Sequence, residues 1–355
     1  MPPASELELK HLRKLTERIG RDPLRTQAST GNTSAKLDGA LWIKASGKWM
    51  ADAMTDQILI PLNLADVLEC LRRNLDPAER FPGASLETAM HAVLPHRVVA
   101  HVHCVDTISW AVRNDAQVQL QSRLDGLRWQ WIPYIPSGLP LSREMERAVS
   151  AHPETDVFVL GNHGLVVGGA DANGVEVLLA EVQRRLAIVP RRAHPADYAV
   201  LAEICSDSTW EIPDDDDVHA LGTDRIAQAI LACGLLYPCQ AIFSGAETPG
   251  LFRPIPYPAQ RGALAGTSEG TRSFLVIENC GIVVNRTARP AELAMISGLA
   301  QVVQRLSPAI PIRYLTSDEV AELSCQVVYR YRDLSNASQS ACRHHDNSTA
   351  SIMQA

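Results

Sequence analysis

The chain has 355 residues, 46% of them apolar and 21% charged, with 33 basic against 40 acidic side chains and a formal charge of −7. That length and apolar content suit two ordinary domains with buried cores, and the acidic balance argues against a nucleic-acid partner. No apolar run reaches the roughly 18 residues that cross a bilayer, the opening MPPASELELK lacks a secretory pattern, and eight cysteines without a CxxC pair read as free thiols, so a cytoplasmic protein without a membrane partner is expected.

Ser5 to Ile19 places Leu7, Leu12, Leu15 and Ile19 at helical spacing, which predicts an amphipathic helix. Two short alternating runs follow, Thr33 to Leu37 and Leu41 to Ala45, and the Asp38-Gly39 pair between them predicts a two-residue hairpin. Met54 to Pro61 reads as a further strand and Ala65 to Asn74 as a helix. Ser85 to Leu94 reads as a second helix, with Ser85 as N-cap and Glu87 in its first turn. Val98 to Cys104 is an apolar strand carrying two histidines. Phe158 to Leu160 and Leu165 to Val167 form a strand, turn and strand around Asn162-His163-Gly164, and Val175 to Leu186 is a helix. This is an α/β arrangement without regular βαβ alternation.

After residue 192, the acidic run Pro213 to Asp217 reads as a solvated linker, expected over residues 193–220. Beyond it the chain echoes its own first half. Val157 to Val167 matches Phe274 to Val284 at an offset of 117 residues, with Asn162-His163-Gly164 over Asn279-Cys280-Gly281. Each copy precedes a helix with a similar end, Val182 to Leu186 and Val303 to Leu306, which indicates duplication. The second copy has lost its histidine. Residues 221–333 are therefore expected to form a degenerate second domain without metal-binding histidines, and the polar stretch 334–355 a disordered tail.

The candidate chemistry lies in the first half. His101 and His103 stand at i and i+2 of a strand, so both imidazoles project from one face. That suits two ligands of one metal ion, though two histidines on a half-exposed sheet face would show the same pattern. His163, between Asn and Gly at a tight turn, is either a third ligand delivered from a loop or an incidental imidazole. Glu87, fourteen residues before His101, is a ligand, a general base or an ordinary first-turn carboxylate. Gly31 to Ser34 and Ser46-Gly47 are small polar turns whose backbone N–H groups and hydroxyls suit a phosphate or polyol. All five lysines (Lys10, Lys14, Lys36, Lys44 and Lys48) precede residue 50, so no Schiff-base amine exists beyond it.

In this order, Gly31-Asn32-Thr33-Ser34, Ser46-Gly47 after a strand, Ser85-Leu86-Glu87, His101-Val102-His103 and Asn162-His163-Gly164 resemble the class II aldolase/adducin superfamily. The resemblance covers about residues 8 to 190. The phrases Trp42 to Gly47 and Leu235 to Pro238 are most similar to the aldolase part of bacterial rhamnulose-phosphate aldolase/dehydrogenase proteins; the dehydrogenase half and any GxGxxG fingerprint are absent. The resemblance implies a three-layer α/β/α domain over residues 1–192 with a central, mainly antiparallel sheet. It implies Zn2+, or Mn2+ or Co2+, held by His101, His103 and His163, with Glu87 as the proton-transfer residue. Asn32, Ser46, Gly47 and Ser85 would line the substrate site.

The activity implied is a metal-dependent aldolase that cleaves a sugar-derived or hydroxy-ketone substrate through an enediolate, with burial holding the Glu87 pKa near neutrality. The substrate would be a small sugar-like molecule, phosphorylated or free, and the protein a homo-oligomer, dimer or tetramer. Leu86 stands where sugar-phosphate members carry a second Ser, which weakens the phosphate cradle. The same site also suits an epimerase, dehydratase or decarboxylase. A non-catalytic adducin-like scaffold predicts loss of the histidine triad, which this chain keeps.

Overall fold

The computed structural model describes residues 4–244, 251–252, 272–323 and 330–337. The chain divides into two compact units, residues 1–111, 115–187 and 330–355 in the first, and 112–114 with 188–329 in the second.

The first unit is built on seven strands: β1 (Asn32–Leu37), β2 (Ala40–Lys44), β3 (Leu59–Asn63), β4 (Val98–Val102), β5 (Trp129–Ile132), β6 (Val157–Leu160) and β7 (Gly164–Gly169). They lie in the order β3-β2-β1-β4-β7-β6-β5. Every pairing is antiparallel except β5 with β6, so the expected mainly antiparallel sheet is present. Helices cover both faces. On one, Met90 and Leu94 pack with Leu141, Met145 and Val149 onto Val99, Phe158 and Val166 of the sheet. On the other, helices Ala4–Gly20 and Ala172–Leu186 bury Leu12, Leu15, Ile19, Val175, Leu179 and Val182. The period of 3.6 residues that gives each helix one apolar stripe thus produces the three layers.

The β1/β2 hairpin closes through Asp38 at φ 50° and Gly39 at φ 78°, as its two-residue turn requires. Two expected elements are displaced. The strand expected from Met54 to Pro61 starts only at Leu59, as β3, because residues 54–58 continue the turn that follows the 3-10 helix Met50–Asp52. β3 is an edge strand, where Pro61 removes no ladder bond that the sheet needs. The helix expected from Ser85 begins at Thr88. The Ser85 N–H donates to Thr88 Oγ1 at 3.0 Å and the Thr88 N–H to the Ser85 carbonyl at 3.1 Å, a tight turn that delays the helix and leaves Glu87 at its N-cap.

The second unit contains β8 (Trp210–Glu211), β9 (Leu251–Phe252), β10 (Phe274–Ile277) and β11 (Gly281–Asn285), in the order β8-β11-β10-β9. β11 is antiparallel to β8 and β10, and β10 is parallel to β9. The segment 193–220, expected as a linker, carries helix Tyr198–Cys205, β8 and the 3-10 turn Asp216–His219. It is held in the unit by the buried side chains of Leu201, Trp210 and Val218; its acidic surface hid this apolar content. Residues 330–337, four of which were expected in a disordered tail, are helical with Ser335 and Asn336 buried. The rest of that tail, 338–355, lies outside the described residues.

Candidate metal centre

Strand alternation builds the centre from β4. Val99 packs into the core beneath helix Thr88–Val93, and His101 and His103, two and four residues on, follow on that face. His163 arrives from the three-residue connection between β6 and β7, where Asn162 takes φ 50°. Gly164 lets β7 close on the end of β4, since a Cβ there would lie 2.5 Å from the Val102 carbonyl oxygen. Glu87 comes from the N-cap of helix Thr88–Val93. That helix is anchored one turn further along by the buried His91, whose Nδ1 lies 2.7 Å from Ser34 Oγ.

The four side chains converge. The three imidazole centroids lie 4.9 Å from one another, with interplanar angles of 67°, 84° and 88°. His103 Nε2 is 3.1 Å from His101 Nε2, and Glu87 Oε1 is 3.2 Å from Nε2 of both His101 and His163. One ligand atom from each residue falls within 4.8 Å of all the others. His101 Nδ1 donates to the Leu165 carbonyl at 3.0 Å, which turns its Nε2 toward the cluster. His103 and His163 are 4% and 5% exposed, and burial pushes both below the usual histidine pKa against the opposing pull of Glu87. Burial thus favours the neutral form of both rings, the form that metal ligation needs.

These residues fit a divalent cation. Bonds of about 2.05 Å in a tetrahedron separate ligand atoms by about 3.3 Å, close to the 3.1–3.2 Å between His101 and His103 and from Glu87 to His101 and His163. Asn32, paired with His101 across β1 and β4, donates from Nδ2 to Glu87 Oε2 at 2.7 Å. Its buried Oδ1 has no hydrogen-bond partner among the described residues and is open to a ligand. Burial raises the Glu87 pKa, but its close contacts with the His101 and His163 imidazoles outweigh that and hold it well below the usual carboxylate value. This corrects the expectation that burial keeps it near neutrality: the partners, invisible in sequence, reverse the sign.

Glu87, His101, His103, His163 and Asn32 form one bonded group. Ser85 enters through the turn that sets Glu87. Ser46 and Gly47 belong to a separate turn after β2, tied to the Ser85 loop by the Ser46 N–H, which donates to the Gly83 carbonyl at 2.9 Å. Lys44 was overlooked as a buried amine. It is 3% exposed and donates to the carbonyls of Ser29 at 2.8 Å and Lys48 at 2.7 Å, and burial lowers its pKa to about 7. The signal available was a lysine inside the apolar run Leu41-Trp42-Ile43.

A family profile described as the Class II Aldolase and Adducin N-terminal domain matches residues 12–189. A Bacillus subtilis (strain 168) protein named "Uncharacterized oxidoreductase YuxG" is 28% identical over 173 residues, covering 42% of this chain and 25% of that protein. The chain thus spans about a quarter of the length of that curated relative. Among solved structures, the N-terminal class II aldolase domain of a conserved Thermoplasma acidophilum protein is 23% identical with a TM-score of 0.44, covering 50% of this chain and 92% of that one. L-fuculose-1-phosphate aldolase from Thermus thermophilus is 18% identical with a TM-score of 0.36, covering 50% of this chain and 92% of that one. With half its length matched by the family profile, a seven-stranded sheet between two helical layers and a buried cluster of three histidines and a glutamate, this chain belongs to the class II aldolase and adducin family.

Proposed function

We propose that the protein is a divalent-metal-dependent aldolase that breaks a carbon–carbon bond in a sugar-derived or hydroxy-ketone substrate. The observation that carries this reading is the convergence of three buried imidazoles and one carboxylate on a single point. His101, His103 and His163 would hold the cation, for which three nitrogens and a nearby oxygen suit zinc, cobalt or manganese. A cation so held supplies Lewis acidity to a substrate carbonyl and its neighbouring hydroxyl.

The chain's own residues do the rest. Glu87, ionised and within reach of the cluster, takes or returns the proton at the substrate carbon that becomes nucleophilic. Asn32 holds the second oxygen of Glu87, fixing the carboxylate plane and leaving Oε1 toward the reacting atoms. The neutral form of His103 and His163, which burial favours, keeps protons from competing with the cation. Ser85 and the Ser46–Gly47 turn border the substrate, and assembly into a homo-oligomer belongs to the same proposal.

Metal analysis of the purified protein, with cleavage assays on a panel of free and phosphorylated ketoses, tests the reading. One cation per chain, lost in His101→Ala, and cleavage reduced by about 10²–10⁴-fold in Glu87→Gln with the metal retained are expected. Interconversion of epimers or release of carbon dioxide in place of cleavage would replace the aldolase reading with another reaction at the same centre. A protein without bound metal and without turnover would be a scaffold.

A further inference from the structure

Helix 330–337 returns to the first unit and sits on the turn that follows β2. Ser335 is fully buried, and its Oγ meets the hydroxyl of Ser29 and also donates to the carbonyl of Tyr331 at 2.9 Å. Ser29 Oγ donates to the Tyr331 hydroxyl at 3.0 Å, and Trp49 Nε1 donates to the Ser335 carbonyl at 3.0 Å. The helix backbone presses on Gly47. At φ +74°, a Cβ on that residue would lie 2.4 Å from Leu334 Cβ and 2.9 Å from the Leu334 carbonyl carbon.

The seat is a polar platform. Lys44 Nζ clips the Ser29 and Lys48 carbonyls together, joining the turn before β1 to the turn after β2. Within the second turn, the Ser46 N–H is taken by Gly83 and the Lys48 N–H by Ala45 at 3.3 Å. Gly47 lies beneath the helix. Leu334, whose backbone makes this contact, keeps 39% of its surface exposed, so hydroxyls, an indole N–H and a carbonyl hold the helix in place where a core would use apolar area. Such bonds are the kind that an oxyanion can replace. Ser29 and Asn32 bracket the start of β1, so the platform adjoins the residue that orients Glu87.

We propose that helix 330–337 is a built-in occupant, setting specificity, of the platform formed by Ser29, Trp49 and the Ser46–Gly47 turn: seated, it holds the Ser29 hydroxyl and the Trp49 indole N–H and covers Gly47, which denies these groups to an anionic substrate terminus and restricts the centre to substrates uncharged at that end. The proposal rests on the reading that the histidine–glutamate cluster is the reaction centre, and it names the substrate class of that site as unphosphorylated hydroxy-carbonyl compounds.

Ser335→Leu in the full chain tests it, because a fully buried serine site has no room for the larger neutral side chain. Amide exchange over 330–337 is expected to quicken at least tenfold. The dissociation constant for inorganic phosphate, measured by calorimetry, is expected to fall at least tenfold, and the KM of dihydroxyacetone phosphate to fall relative to that of dihydroxyacetone. Faster exchange with phosphate affinity within twofold of the unsubstituted chain overturns the proposal and makes the helix a structural anchor. If exchange does not quicken, or the variant does not fold, deletion of residues 330–355 replaces it under the same tenfold criterion. A deletion that binds phosphate no more tightly, or that cannot fold without the helix, overturns the proposal as well. Phosphate binding is read independently of turnover, so a protein that carries no metal fails the aldolase reading without deciding this one.

Discussion

The chain contains one piece of architecture twice. In the first unit the strands run β4-β7-β6-β5, and in the second β8-β11-β10-β9, with the same directions at each pairing. In both, a hairpin turns on an asparagine in the left-handed region, Asn162 at φ 50° and Asn279 at φ 61°, and a helix follows. The chemistry differs completely. His163 corresponds to Cys280, and extending the β8/β11 register by one residue puts Ile212 where His101 stands. In place of ionisable side chains the second unit packs Ile212 with Leu201, Ile204, Trp210, Leu275, Ile277, Cys280 and Val283. Burial pushes the Cys280 thiol up, with Asp197 adding to the effect, so it stays protonated. Apolar alternation and one turn residue suffice for the half-sheet; the ligands are a separate addition that the fold does not need. The matching strand order, directions and turn support duplication.

The largest test removes what distinguishes the first copy. His163→Ala is expected to abolish stoichiometric metal binding and to lower any cleavage rate by at least about 10³-fold, by analogy with loss of an essential catalytic group; elemental analysis and kinetics read both. Wild-type metal content in that variant would mean the imidazoles are only packed together. Next in size, Trp210→Ala empties the apolar replacement and should cost about 3–5 kcal/mol in denaturant unfolding. A loss below about 1 kcal/mol would show that the cluster does not hold the second unit together.

Cys280→His restores the missing residue type alone. It should destabilise by about 1–3 kcal/mol, because an imidazole enters an apolar cluster without a partner, and equilibrium dialysis should detect no second metal. A second equivalent would reveal ligands that the register does not supply.

The smallest effect concerns charge buried in the first unit. Burial lowers the Lys36 pKa from 10.5 to about 8, so between those values the unfolded chain binds more protons than the folded one. Stability from this residue therefore rises with pH across that window, and Lys36→Met should flatten the rise measured by urea unfolding. An unchanged pH slope in the variant would assign the rise to another group.

Features carried by neighbours in sequence were legible before the fold was known. The i, i+2 histidine pair shares a face because strand geometry alternates, Asp38-Gly39 closes its hairpin because few residue pairs take positive φ together, and the Asn-x-Gly echo survives as two hairpins. The start of the Glu87 helix was not legible, because Thr88 Oγ1 competes for the Ser85 amide and both residues are ordinary helix-entry types. The apolar side of segment 193–220 was masked by its aspartates. Lys44 was missed because burial of its strand depends on what covers both faces.

Short motifs in a set order were enough for the resemblance to the family and, through it, for the layered sheet and the choice of histidines, since each motif depends on residues a few positions apart. The sign of the Glu87 pKa shift, the joining of Asn32 to its carboxylate and the seating of helix 330–337 on Gly47 depend on contacts between residues 14 to 287 positions apart. Desolvation, field and steric closure act through space, and a linear pattern carries no distances.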